Sequence, residues 1–100
     1  MSTDYDTLKS WNFISDLGKW RSDLVGLACL ACATVRTINP SNKPSPSDCM
    51  PILERLLIDS VIWQRILNSK KHAPPDMRSV FTTIMARYLL SEHWNDVKDC

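Results

Sequence analysis

The chain has 100 residues, of which 44% are hydrophobic and 23% are charged, and its formal net charge is +1. This length fits one domain, and the composition excludes a chain that is mainly disordered. The near-neutral charge excludes a protein whose whole surface is basic for nucleic-acid binding. We therefore predict a single helical domain over residues 1–100.

Helical spacing extends along most of the chain, and strand signals are almost absent. In the first segment, apolar residues recur every third position, and Gly18 is expected to end this helix in a left-handed conformation. These apolar residues are Leu8, Trp11, Ile14 and Leu17. After a turn over residues 18–21, we predict a second helix over residues 23–38.

The segment from Leu24 to Val35 (LVGLACLACATV) contains no charged residue. As a helix over residues 23–38 it would be about 24 Å long, which is less than the roughly 30 Å of a bilayer's hydrocarbon core. We therefore expect no membrane span. Instead, this segment is predicted to be the central helix of a bundle, hidden from water almost all the way round.

Residues 39–48 are rich in proline and serine and are predicted to form a connection without secondary structure. Ser47 or Asp48 is expected to cap a third helix that runs to about Asp59. At Asp59 and Ser60 the chain either bends or breaks, and we favour a break with Ser60 capping a fourth helix to Asn68. Trp63 falls on an apolar stripe of this helix and is expected to be structural.

The last helix is expected to begin at Pro75 and Asp76, after a loop over residues 69–75, and to reach at least Trp94. Its predicted buried side consists of Met77, Val80, Phe81, Ile84, Tyr88 and Leu89. Together these segments predict an all-α fold, a compact single-domain bundle of about five helices around the central apolar helix.

The pair Cys29-x-x-Cys32 is the one motif that suggests metal or redox chemistry. A structural zinc site needs four ligands, and a redox cysteine needs an exposed helix start, whereas this pair lies inside the apolar run. We therefore predict that these cysteines pack in the core as reduced thiols, with no metal and no cofactor. The N-terminal sequence has no secretory signal pattern, which favours an intracellular location, cytoplasmic or nuclear.

No catalytic motif is recognisable in the sequence. No serine or cysteine has a neighbouring base with an orienting acid. Gly18 and Gly26 are the only glycines, so a glycine-rich phosphate-binding loop is absent from the sequence. We expect a protein that is not an enzyme.

The charges favour a binding function, because basic residues are concentrated in the later half of the chain. Tryptophans that are hard to bury add to this prediction, since aromatic and arginine side chains are enriched at interfaces. The predicted partner-binding residues are Arg65, Lys70, Lys71, His72, Arg78, Arg87, Trp20 and Trp94. The preferred hypothesis is an interaction domain for an acidic or amphipathic protein segment or for a second copy of the chain. The alternative is RNA or DNA binding through the basic surface of residues 65–87.

Overall fold

A computed structural model describes residues 13–69 and 75–100, and these residues form helices without any strand. The helices are α1 (Phe13–Ile38), α2 (Pro46–Asp59), α3 (Val61–Ser69), α4 (Arg78–Glu92) and α5 (Trp94–Val97), with a 3₁₀ turn (Pro75–Met77) before α4. The predicted compact all-α bundle is confirmed. The predicted helix start before residue 13 and most of the predicted loop over residues 69–75 lie outside the described residues.

Helix α1 is continuous where the sequence predicts a turn. It passes through residues 18–21, so the prediction that Gly18 ends a first helix is wrong. The helix continues because its buried residues are spaced by three, four or seven positions. This spacing places them in one stripe, so a single face of a continuous helix packs against the core. The stripe consists of Phe13, Leu17, Leu24, Ala28 and Ala31.

The apolar segment of α1 is central, but it is buried on one side only. Ala28, Ala31 and Cys32 are fully buried, and α1 contacts each of the other four helices. On the other side Leu30 is 51% exposed, and Gly26 is exposed as well. The prediction that the segment is hidden almost all round is therefore wrong. Within residues 13–69 and 75–100, no helix combines the length and hydrophobicity needed to cross a bilayer.

Helix α2 begins earlier than predicted, because Ser45 is its N-cap instead of Ser47 or Asp48. The Asp48 backbone N–H donates to Ser45 Oγ at 3.3 Å, and the Ser45 backbone N–H donates to Asp48 Oδ2 at 2.9 Å. This reciprocal pair is a capping box, and Pro46 at the first helical position suits it because no N–H is needed there. The unstructured connection therefore covers residues 39–45, not 39–48.

The predicted break between α2 and α3 is confirmed. Ser60 has an extended backbone, and its side chain accepts a hydrogen bond from the Trp63 backbone N–H at 3.3 Å. The chain thus starts a new helix with a serine cap, as expected from the sequence.

Helix α4 is shorter than predicted, since it ends at Glu92 and not at or beyond Trp94. His93 leaves the helical conformation, with φ −115° and ψ 17°, and α5 starts at the next residue. The His93 carbonyl then accepts from the Asp96 N–H at 2.9 Å, which is the first backbone hydrogen bond of α5. Val80, predicted to be buried, is 41% exposed.

Trp63 lies at the centre of the core, as its position on an apolar stripe predicts. Its ring centroid is 5.6 Å from that of Phe13, which in turn is 5.0 Å from that of Phe81. Trp63 Nε1 donates to Thr82 Oγ1 at 2.8 Å, and Thr82 Oγ1 donates to the Arg78 carbonyl at 2.8 Å. The one polar atom of the indole is therefore satisfied in the core.

Candidate functional site

The structure describes three of the six predicted basic residues, and their surroundings differ. Arg65 is exposed on α3, and Arg87 is exposed on α4. Arg78 Nη2 instead donates to Gln64 Oε1 at 2.7 Å and to Asn68 Oδ1 at 3.1 Å, so this side chain joins α4 to α3. Three further predicted residues, Lys70, Lys71 and His72, lie outside the described residues.

The two predicted tryptophans have different surroundings. Trp20 is half-buried on α1, it packs against the core, and Lys19 Nζ lies 5.1 Å from its ring centroid. Trp94 is also half-buried, but it lines an open groove at the opposite end of α1. Of the predicted binding residues, Arg87 lines a hollow of about 360 Å³ on α4, and Trp94 lines the larger one described next.

This groove, which we call the cationic groove, is a hollow of about 530 Å³ between the end of α1, the connection to α2 and the C-terminal segment. Three cationic side chains line it together with one carboxylate and one indole. Its residues are Arg36, Pro40, Ser41, Asn42, Lys43, Pro44, Trp94, Lys98 and Asp99. The positive charges outnumber the negative one, so the groove favours an anionic ligand.

Arg36 is the most deeply placed of the three cations. Its Nη2 donates to the Lys98 carbonyl, which attaches the C-terminal segment to α1. Its Nε is buried and has no hydrogen-bond acceptor among the described residues. Nearly all buried donors in folded proteins are paired, so this unpaired N–H is an exception.

A second hollow, of about 310 Å³, adjoins the cationic groove and shares Asn42, Lys43 and Pro44 with it. We call it the apolar hollow, because Val35, Ile38 and Ile52 contribute aliphatic side chains to its lining. Ile38 is 74% exposed, which is high for a large apolar residue. Charge recognition and apolar contact are thus available side by side.

The capping box of α2 fixes one edge of the apolar hollow, since Asp48 belongs to its lining. Hydrogen bonds from the backbone and side chain of Ser45 hold the pKa of Asp48 below its ordinary value of 3.8. The carboxylate therefore stays ionised near neutral pH and keeps the start of α2 in place.

A disulfide joins Cys29 on α1 to Cys100 after α5, with the two Cα atoms 5.4 Å apart. The prediction that all the cysteines are reduced is wrong for this pair. The sequence places these residues 71 positions apart, so no local spacing could reveal the bond. Cys32 and Cys49 are free thiols, and both are fully buried.

In residues 13–69 and 75–100, no cluster of three or more His, Cys, Asp or Glu side chains is arranged to hold a metal ion. Comparison with protein families, with curated proteins and with solved structures finds no match.

Sequence reasoning missed all three cationic residues of the cationic groove, namely Arg36, Lys43 and Lys98. They come from the end of α1, from the connection and from the C-terminal segment, and only the fold brings them together. The sequence does contain a signal for Lys43, which is the one lysine of the proline-rich connection. A stiff connection of this kind holds such a side chain on the surface. The signal is too weak to predict a site without the position of Arg36.

Proposed function

We propose that this chain is a non-catalytic interaction domain that binds an acidic, amphipathic segment of a protein partner in the cationic groove. The observation that carries the proposal is the buried Arg36 Nε, a donor without an acceptor among the described residues, beside Lys43 and Lys98. A carboxylate is the natural acceptor, because arginine and carboxylate form charge-assisted hydrogen bonds that are stronger than neutral ones.

The surroundings of these cations favour a peptide over a small anion. The apolar hollow next to the groove can take the aliphatic side chains of the same segment, since both hollows share Lys43 and Pro44. Trp94 adds a large, stiff aromatic surface, which is the kind of side chain that dominates binding at interfaces. A segment with acidic and apolar residues in alternation fits both hollows.

The test is a selection from a random peptide library displayed on phage, with the folded chain as bait. We expect the selected peptides to combine Asp or Glu with aliphatic residues. Their binding should weaken at least tenfold in Lys43→Glu, because this exposed residue lies where the two hollows meet. Peptides without acidic residues, or binding that Lys43→Glu leaves unchanged, would contradict the proposal.

Two control variants change the charge by the same amount elsewhere. Arg21→Glu alters an exposed residue of α1 that lines neither hollow, and Arg65→Glu alters the basic surface predicted from the sequence. Peptide binding should survive both changes. Loss of binding in Arg65→Glu alone would move the site to the predicted basic surface. A variant that combines Lys70→Glu, Lys71→Glu and Arg78→Glu would be a poorer test of the predicted basic surface, because Arg78 holds α4 to α3.

The same variants test the alternative of nucleic-acid binding. Oligonucleotides, both single-stranded and double-stranded, would bind with an affinity that falls steeply as salt rises. A gel shift at low salt that is lost in Arg65→Glu and retained in Lys43→Glu would favour this alternative over the peptide. Sedimentation at two concentrations tests whether the partner is a second copy of the chain.

The intracellular location expected from the N-terminal sequence stays a prediction. The Cys29–Cys100 disulfide favours an oxidising compartment instead, because cytosolic thiols are kept reduced. Fractionation of cells that express a tagged full chain, with thiols blocked at lysis, would show both the compartment and the oxidation state.

A further inference from the structure

Two cysteines that the proposed function does not use face each other in the core. Cys32 Sγ on α1 and Cys49 Sγ on α2 are 3.2 Å apart, and both residues are fully buried. A disulfide needs the two sulfurs at about 2.05 Å, so an approach of roughly 1 Å would form the bond. The geometry points to Cys32 and Cys49 as a second site of disulfide formation, which would join α1 covalently to α2.

The position of this pair gives the cysteine motif of α1 a single structural role. Cys29 and Cys32 are three residues apart, so they lie on neighbouring turns of the same helix. Cys29 is already bonded to Cys100, which follows α5 in the sequence, while Cys32 contacts Cys49 near the start of α2. The motif therefore fastens two different segments to the central helix, and its two cysteines are not partners of each other.

The second bond would hold the chain on both sides of the connection over residues 39–45. Cys32 lies before this connection and Cys49 lies after it, and the connection supplies residues to both the cationic groove and the apolar hollow. Cross-linking the two ends restricts the unfolded chain and keeps the two helices in register.

The chemistry is an exchange with a small disulfide such as oxidised glutathione. The Cys32 thiol loses its proton and attacks one glutathione sulfur, which breaks the glutathione disulfide and releases one glutathione thiolate that takes up a proton. The Cys49 thiol then loses its proton and attacks the Cys32 sulfur of the mixed disulfide, which releases the second glutathione. Two protein thiols are oxidised, and one glutathione disulfide is reduced to two thiols.

Bond formation should accompany folding instead of following it. In the folded, reduced chain, burial is the main factor that raises the pKa of Cys49 to about 12, and the neighbouring Cys32 adds to this effect. The Cys49 thiolate is therefore scarce once the core has closed. During folding the thiols are still accessible to glutathione, and the packing of α1 on α2 then selects this pairing.

The test is refolding of the full reduced chain in a glutathione redox buffer, followed by alkylation of free thiols in denaturant and mass spectrometry. We expect no alkylated cysteine and a peptide map with the pairs Cys29–Cys100 and Cys32–Cys49. Alkylation of both Cys32 and Cys49 in chains that hold the Cys29–Cys100 bond would overturn the inference. A Cys29–Cys32 bond would overturn it too.

A stability comparison gives a second readout that does not depend on the peptide map. Wild type and a Cys32→Ala, Cys49→Ala double variant are each unfolded in urea with and without reductant. Reductant should lower the midpoint of wild type more than that of the variant, because wild type loses two bonds and the variant loses one. Equal decreases in the two midpoints would overturn the inference.

Discussion

Two buried nitrogen donors, one in the core and one at the cationic groove, differ in whether they have a hydrogen-bond acceptor. Trp63 Nε1 donates to Thr82 Oγ1 at 2.8 Å, and that hydroxyl donates onward to the Arg78 carbonyl. Arg36 Nε is equally enclosed but has no acceptor among the described residues. The fold supplies an acceptor for the core donor, whereas the described residues supply none for the donor at the groove.

The two donors illustrate the difference between residues that stabilise the fold and residues that we propose bind a partner. A satisfied polar pair in a packed core makes the interior specific and costly to disturb. An unsatisfied buried donor, such as Arg36 Nε beside Lys43 and Lys98, costs the folded state free energy instead of stabilising it. Substitutions in the core should therefore change stability, and substitutions in the groove should change binding.

The largest expected effect is that of Trp63→Ala. The side chain is fully buried and contacts Phe13, so its removal should lower the free energy of unfolding by about 3–5 kcal/mol. Urea unfolding followed by circular dichroism measures the change. Trp20→Ala is the control, since Trp20 is only half-buried, and it should cost clearly less. Equal decreases in the free energy of unfolding would contradict the distinction between the buried Trp63 and the half-buried Trp20.

A smaller effect is expected for Thr82→Val, which keeps the shape of the side chain but removes the acceptor of Trp63 Nε1. The buried N–H would then lack a partner, at a cost of about 1–3 kcal/mol. Thr37→Val is the control, because Thr37 is exposed and its hydroxyl can be replaced by water. Urea unfolding of both variants is the measurement, and a Thr82→Val chain as stable as wild type would show that the core hydrogen bond is unimportant.

The smallest expected effect on stability concerns the cap at the edge of the apolar hollow. Ser45→Ala removes the capping hydroxyl of α2 and should cost about 1 kcal/mol near neutral pH. The lowered pKa of Asp48 means that its share of the cap is present above pH 3.8 and is lost as the pH falls through the folded-state pKa.

Thermal unfolding at neutral pH and at a pH below the lowered pKa of Asp48 in the folded chain tests this dependence. The difference in melting temperature between wild type and Ser45→Ala should shrink at the acidic pH, where Asp48 is protonated. A constant difference would mean that the contribution of the Ser45 hydroxyl does not depend on the charge of Asp48.

Sequence reasoning works best where one local signal decides the structure. Ser60 caps α3 as predicted, and Trp63 is in the core because it continues an apolar stripe. It fails at Gly18, where burial of a continuous stripe outweighs the weak helix propensity of glycine. It also fails at His93, where no proline or glycine marks the end of α4.

The candidate site is less predictable than the fold, because its parts are distant in sequence. Trp94 was predicted as a binding residue, but Arg36 and Lys98 meet only through a contact between residues 62 positions apart. The Cys29–Cys100 bond likewise depends on the packing of the C-terminal segment against α1. Such pairings follow from tertiary structure and leave no periodic pattern.

The most direct test of the proposed function is the NMR signal of the Arg36 Nε–H group. A short peptide of alternating glutamate and leucine is added to the ¹⁵N-labelled chain, and a peptide of alternating glutamine and leucine is the control. We expect the acidic peptide to shift the Arg36 Nε–H signal and the Trp94 indole N–H signal, while the Trp63 indole signal stays in place. Unchanged Arg36 and Trp94 signals, or equal shifts with the glutamine peptide, would contradict it.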